Sequence, residues 1–243
     1  MVENKLLVVL ITYNRLEYTK KTLSYFWKTI DVPYYLIVID NCSTDGTIEY
    51  LKRQQAGNKI DKVIFNPENY YPGKACNIAW EEGLKEYPAT HLMRLDNDMI
   101  LRKGWDIAAL DYFKKIPSMG QVGIEHEAIE TPNAYGCEVR INGKTYNTFP
   151  GTVGGPNIIS RLVWEKGLRY DESRWTDNGT GRPTLQEDVL FSRAIKNAGF
   201  LVGHMTEDLA RTFANETNWK EYPEYYTQTF TERGYGHLLE KLK

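Results

Sequence analysis

From the N-terminus to about residue 125, short apolar runs alternate with segments of helical period. Leu6 to Ile11 is a continuous apolar run, the pattern of a strand covered on both faces. Leu23, Phe26 and Ile30 follow at i, i+3 and i+7, which places them on one face of a helix. Tyr35 to Ile39 repeats the strand pattern, and the polar stretch Asp40 to Gly46 supplies turn and capping residues ahead of a helix bearing Ile48 and Leu51. A third strand is predicted at Lys62 to Phe65. Pro72-Gly73 then signals a turn into a helix with Ala75, Ile78 and Ala79 on one face, stopped before Pro88. Leu92 to Leu95 reads as a fourth strand, and Trp105, Ala109, Tyr112 and Ile116 predict an amphipathic helix behind it. Such alternation predicts an α/β fold with a parallel sheet and crossover helices.

Beyond residue 125 the pattern is mixed. Asn142-Gly143, between Val139-Arg140-Ile141 and Thr145-Tyr146, is a two-residue hairpin signal of the type I′ kind. A Gly-rich stretch, Gly151 to Gly155, leads into a short apolar run and a helix near Arg161 to Lys166, and Asp177 to Pro183 reads as a polar loop suited to a lid. Leu190, Phe191, Ala194, Ile195 and Ala198 define a further helix, and the aromatic, charged tail from Trp219 is predicted helical. There is no low-complexity tract and no repeat of solenoid length. One domain over 1–243 is expected, with internal divisions near 125 and 215.

Composition narrows the class. With 42% hydrophobic and 26% charged residues among 243, the chain has the composition of a packed globular protein. Thirty basic and 32 acidic side chains leave a net charge of -2, so no whole-chain field draws it to nucleic acid or an anionic membrane. The first apolar run is too short to span a bilayer and has no cleavage pattern, so a cytoplasmic location without a transmembrane segment is expected. Three cysteines, Cys42, Cys76 and Cys137, lie in no metal spacing and read as free thiols. Sequons at Asn41, Asn178 and Asn215 carry no weight without a secretory route.

In an open α/β sheet the ligand sits beyond the carboxyl ends of the strands. There the sequence places Thr12-Tyr13-Asn14-Arg15, Asp40-Asn41 and Asp96-Asn97-Asp98. Alternate carboxylates at a strand end suit one hard cation or one hydroxylated ligand; a surface turn capping the next element is the plainer alternative. Asp40 likewise suits either a turn or recognition of a nucleobase. No Walker lysine pattern and no GxGxxG is present, so bound phosphates would need a cation to neutralise them. Glu187 and Asp188 open the later helical segment, where the helix dipole favours carboxylates. The same dipole would hold Asp188 ionised, as a general base requires. Arg193 is placed to orient the loop or pair with an acid.

Together these segments resemble the family 2 glycosyltransferases, which have the GT-A fold. The resemblance runs in order through VVLITYNR, LIVIDNCSTDGT, NYYPGKACNIAW, HLMRLDNDMIL with its DxD pattern, GGPNIISRLVWEKGLRYDE, and QEDVLFSRAIKNAGF with its ED pattern. It extends from about residue 5 to about residue 205. It implies a Rossmann-like, mostly parallel central sheet flanked by helices, a nucleotide-binding half to about 125, a mixed acceptor-side half to about 215, and a helical tail. It further implies a UDP- or GDP-sugar donor, with Mn²⁺ or Mg²⁺, for transfer to an acceptor hydroxyl with inversion. By the same resemblance, Thr12, Tyr13, Arg15, Asn41, Gly73, Lys74, Asn77 and Asn97 would line the nucleotide sugar. Asp40 would contact the base, Asp96 the ribose or metal, and Asp98 would be the main metal ligand. Asp188 would be the catalytic base, with Glu187 helping to place the acceptor. Many members carry a further metal-binding histidine downstream of the glycine matching Gly199; here that spot reads Ala210-Arg211-Thr212-Phe213, and His204, nearby but early in the pattern, suits either a metal ligand or a structural role, the alternative being a metal held by Asp98, diphosphate and water.

Other readings stay open at this level. Transfer onto a modified nucleic-acid base and a catalytically silent nucleotide-sugar-binding module share the same residues, although near-neutral charge disfavours a nucleic-acid partner. A sugar-1-phosphate nucleotidyltransferase would need a Gly-rich basic loop near the first strand, and TYNRLEYTKK is not one. Trp164, Trp175, Trp219, Tyr222, Tyr225 and Tyr226 suit either sugar or base stacking or packing in a core or interface.

Overall fold

The computed structural model describes residues 5–125, 138–148, 152–172, 186–213, 219–232 and 234–242. Cys137, Trp175, Asn178, Asn215 and the polar loop at 177–183 lie outside the described residues.

The first half follows the expected alternation. Strand β1 (Leu6–Thr12) is followed by α1 (Leu16–Thr29), β2 (Tyr34–Asp40), α2 (Thr47–Ala56), β3 (Lys62–Phe65), α3 (Tyr71–Glu86), β4 (His91–Asp96), β5 (Met99–Leu101), α4 (Trp105–Lys115) and β6 (Met119–Gly123). The remainder contains β7 (Glu138–Ile141), β8 (Lys144–Asn147), β9 (Asn157–Ser160), α5 (Arg161–Glu165), α6 (Glu187–Asn197), β10 (Leu201–His204), β11 (Ala210–Thr212) and α7 (Pro223–Glu232). Short 3-10 segments flank α7 at Trp219–Glu221 and Gly236–Leu242.

Nine strands form one sheet in the order β3-β2-β1-β4-β9-β6-β10-β8-β7, and β5 and β11 form a separate antiparallel pair. Strands β3, β2, β1 and β4 are mutually parallel. Strand β9 runs antiparallel to both neighbours, β4 and β6, with Arg94 opposite Asn157. The period-two alternation of β1 shows in the packing: Leu6, Val8 and Leu10 join one cluster with Leu23, Phe26, Leu51 and Trp105, whereas Leu7, Val9 and Ile11 join another with Ala75, Ala79, Trp80 and Phe191. Helices α1, α2 and α4 thus cover one face, and α3, α5 and α6 the other.

Several elements depart from the sequence pattern. Strand β6, MGQVG, carries two glycines and a glutamine yet is buried throughout. A Cβ on Gly120 would lie 2.6 Å from the Phe200 side chain, and one on Gly123 2.7 Å from that of Val153. The glycines therefore permit close packing that no local pattern reveals. The hairpin between β7 and β8 has Asn142 at φ 52 and Gly143 at φ 80, the two left-handed positions a type I′ turn demands. Ile30 lies just past α1, its N–H bonded to the Phe26 carbonyl. Cys42 and Cys76 are free thiols. Among the described residues no helix is long and apolar enough to cross a membrane.

Candidate active site

The carboxyl ends of β1 and β4 open onto a cavity of about 370 Å³. Thr12, Tyr13, Arg15, Asn41, Asp96, Asn97 and Asp98 all line it, together with Arg94 from inside β4. The opposite wall comes from the helix entry at Asn69, Tyr71 and Pro72 and from the C-terminal segment at Trp219, Tyr225, Tyr226 and Phe230.

Asn97 organises the floor. Its Nδ2 donates to the Thr12 and Thr19 hydroxyls at 3.2 and 3.1 Å, and its Oδ1 accepts from Arg15 Nη2. One buried amide thus ties β1, α1 and the segment after β4 together. Arg15, left-handed at φ 58 ahead of α1, points its guanidinium across this floor. Its Nη1 reaches Asp98 Oδ2 at 3.1 Å and the Tyr226 hydroxyl at 3.3 Å. The Tyr225 ring lies 4.3 Å from the guanidinium carbon, within cation–π range. Burial works against the Arg15 charge, but Tyr225, Asp98 and Tyr226 outweigh it and raise its pKa. Asp98 is held above the ordinary carboxylate range by burial, opposed by Arg15 and reinforced by Asp96.

The carboxylates at the start of α6 connect to this rim through Arg94. Its Nε donates to Asp96 Oδ1 and its Nη1 to Glu187 Oε1, each at 3.0 Å. Glu187 and Asp188 occupy the first turn of α6 and are buried. Asp188 Oδ1 accepts the Val189 N–H at 2.6 Å, and burial together with the Glu187 charge raises its pKa, with Arg94 opposing. Gly154 and Gly155, just ahead of β9, run between the two acidic groups. A Cβ on Gly155 would stand 2.1 Å from Asp96 Oδ2, and one on Gly154 3.9 Å from Asp188 Oδ2.

The other expected residues are placed differently. Asp40 is fully buried below the rim; its Oδ2 accepts the Ser43 N–H at 2.9 Å and its Oδ1 has no partner among the described residues. Burial raises its pKa, with Ser43 opposing. Asn77 spends its amide on the Tyr170 backbone and Glu172. Gly73 packs so closely that a Cβ would meet the Asp171 carbonyl at 2.7 Å and Glu187 Cγ at 2.9 Å. The Lys74 ammonium sits 3.9 Å from the Tyr70 ring centre. His204, on β10, bonds through Nδ1 to the Met205 carbonyl at 3.0 Å. None of these five residues, and neither Glu187 nor Asp188, lines the cavity. The Ala210-Arg211-Thr212-Phe213 segment does run beside Asp98, whose carbonyl accepts the Phe213 N–H at 2.9 Å.

Asp96 and Asp98 offer oxygen donors only, separated by one residue. Mg²⁺-type cations take one or two carboxylates and complete their shell with water and phosphate oxygens. Among the described residues, no group of three or more His, Cys, Asp or Glu is gathered so as to hold a metal. The donor set therefore fits a cation shared with a diphosphate and does not fit an all-protein cage.

Tyr225 and Tyr226, for which the sequence leaves stacking and packing equally open, stand on the cavity wall. Arg94, the link between the acidic groups, is not singled out by the sequence, where it is only an arginine within a strand.

Comparison with known proteins places the fold and the family. The chain superposes on S. aureus TarS 1-349, solved also with UDP and with UDP-GlcNAc, at TM-score 0.62 and 19% identity, over 94% of this chain and 65% of that one. It superposes on the mannosyltransferase PcManGT from Pyrobaculum calidifontis, solved with GDP-Man and Mn²⁺, at TM-score 0.68 and 14% identity, over 99% of this chain and 65% of that one. GalNAc-T7, solved with UDP, GalNAc and Mn²⁺, matches at TM-score 0.65 and 14% identity over 86% of this chain and 43% of that one. The chain thus spans less than two thirds of these neighbours, and the shared architecture is the GT-A fold. No curated protein gives a significant match by sequence. Residues 7–158, which run from β1 through the acidic rim into β9, match the family described as Glycosyl transferase family 2, and the chain belongs to that family.

Proposed function

We propose that this protein transfers a sugar from a nucleoside-diphosphate sugar to an acceptor hydroxyl with inversion at the anomeric carbon. The observation that carries this reading is the cavity at the ends of β1 and β4, where Arg15, Asp96 and Asp98 meet polar and aromatic side chains suited to a nucleotide. Family membership and the UDP- and GDP-linked ligands of the structural neighbours support the same donor class.

In this reading Thr12, Tyr13, Asn41 and Tyr71 hold the nucleoside, and Arg15 faces the diphosphate. Asp98, with Asp96, would hold Mn²⁺ or Mg²⁺ together with the diphosphate, and the cation would supply positive charge to the departing group. Asp188 accepts the acceptor proton while the acceptor oxygen bonds the anomeric carbon and the sugar–phosphate bond breaks. Its raised pKa brings it nearer the working pH, where a general base is most effective. Glu187, fixed by Arg94, shapes the acceptor side next to it.

The test is a panel of UDP- and GDP-sugars with Mn²⁺ or Mg²⁺, scored by release of nucleoside diphosphate and by thermal stabilisation. Turnover of at least one donor is expected. Stabilisation without turnover would instead indicate a silent binding module, and no response to any donor would overturn the reading.

A further inference from the structure

Arg94 is the fourth residue of β4, in a strand whose other five residues are His91, Leu92, Met93, Leu95 and Asp96. It is 4% exposed, and few arginines are buried so deeply without a partner. Here there are two partners from separate parts of the chain: Asp96 at the end of the same strand, and Glu187 in the first turn of α6, 93 positions later. The planar guanidinium donates to both at 3.0 Å, with the Tyr170 ring centre 5.4 Å from its central carbon. Glu187 is also confined from behind, where Gly73 leaves no room for a Cβ.

Buried ion pairs contribute little net stability compared with apolar side chains of the same volume. A three-membered chain of charges, Asp96–Arg94–Glu187, at the junction of a cavity and a buried carboxylate pair is therefore better accounted for by geometry than by stability. We propose that Arg94 is a positioning residue that fixes the donor-side carboxylate Asp96 and the acceptor-side carboxylate Glu187 in one relative geometry, and so fixes Asp188, the next residue, with respect to the bound donor. This inference rests on the reading of Asp188 as the base. Lysine does not replace arginine in this role, because an ammonium lacks the rigid fork that serves two acceptors in one plane.

The experiment measures kcat and KM for hydrolysis of UDP- and GDP-sugars with Mn²⁺ or Mg²⁺ in five forms: wild type, Arg94→Lys, Arg94→Met, Glu187→Gln and the Arg94→Met/Glu187→Gln double variant. UDP and GDP affinity by calorimetry and thermal unfolding are measured on each. Arg94→Lys is expected to lower kcat about tenfold or more with donor KM changed less than about threefold, the pattern of a lost transition-state geometry. Arg94→Met should lower kcat further in the wild-type background than in the Glu187→Gln background, because coupled residues are non-additive. Arg94→Met removes the cation beside the buried Glu187; if it does not fold, Arg94→Lys and the double variant carry the test, with the double variant expected to lose less kcat relative to Glu187→Gln than Arg94→Lys loses relative to wild type. Loss of thermal stability with unchanged kcat in Arg94→Lys, or strictly additive effects, would overturn the proposal while leaving the functional reading intact. Absence of wild-type turnover with every donor would overturn both.

Discussion

Asp98 Oδ2 lies 3.1 Å from Nη1 of Arg15, so the acidic segment after β4 is pinned by the turn after β1. Both side chains are mostly buried, and the same guanidinium is roofed by Tyr225 of α7. The pair brings a cation to the carboxylate that the family resemblance makes the main metal ligand. In the proposed function, Arg15 would turn to the diphosphate and Asp98 would hold the divalent cation.

Arg15→Met should therefore weaken nucleoside-diphosphate binding by about tenfold or more, since a charge-assisted hydrogen bond contributes roughly 1.5–3 kcal/mol. It should also destabilise the fold, because Asp98 then loses its buried counter-charge. Calorimetry with UDP and GDP, beside urea unfolding, separates the two effects.

Asp188→Asn preserves shape but removes the proton acceptor. Transfer is expected to fall by ~10²–10⁴ with donor affinity and unfolding midpoint unchanged. In the wild type, burial and Glu187 raise the Asp188 pKa, and only the ionised form accepts a proton. The rate should thus climb with pH through a value above the ordinary carboxylate range and then level off. Undiminished transfer by Asp188→Asn would remove the residue from this role.

Gly155→Ala places a methyl group 2.1 Å from Asp96 Oδ2. Either Asp96 turns away from Arg94 or the backbone ahead of β9 shifts, at a cost of about 1–3 kcal/mol. Donor affinity and turnover should both drop. Gly236→Ala, where an added Cβ meets nothing within 4 Å, is the control expected to leave both intact.

His91 offers a stability measurement independent of catalysis. Burial lowers its pKa from 6.5 to about 4. Between those values the unfolded chain binds more protons than the folded one, so stability rises with pH across the window. It is fully present above pH 6.5 and is lost as pH falls toward 4. Between pH 7 and pH 5 the loss from this group is about 2 kcal/mol. Urea midpoints at the two pH values should therefore diverge less in His91→Gln than in the wild type.

The legible parts of the fold are those whose information is local. Strands β1 to β4 are continuous or nearly continuous apolar runs, and the Asn142-Gly143 turn encodes its own backbone angles. Strand β6 was hidden because its glycines answer to Phe200 and Val153, which are distant in sequence. The three-residue pair β5 and β11 is too short to carry a period. At the site, Asp96 and Asp98 could be picked out because they directly follow a recognisable strand. The side-chain direction of Asp40 could not, because it depends on the turn at Ser43. Arg94 gave no local signal at all, since its meaning lies in a glutamate contributed by another helix.

Strand β9 is hydrogen-bonded on both edges, to β4 and to β6. Sliding it by one position would turn its inward side chains to the opposite face on two fronts at once. The stretch feeding it is therefore intolerant of changes in length: one added or deleted residue between 152 and 156 would be felt immediately at the carboxylates on either side. Strand β7, at the sheet's outer margin, pairs on one edge only, with β8, which makes the turn between them a place where a change of length costs less.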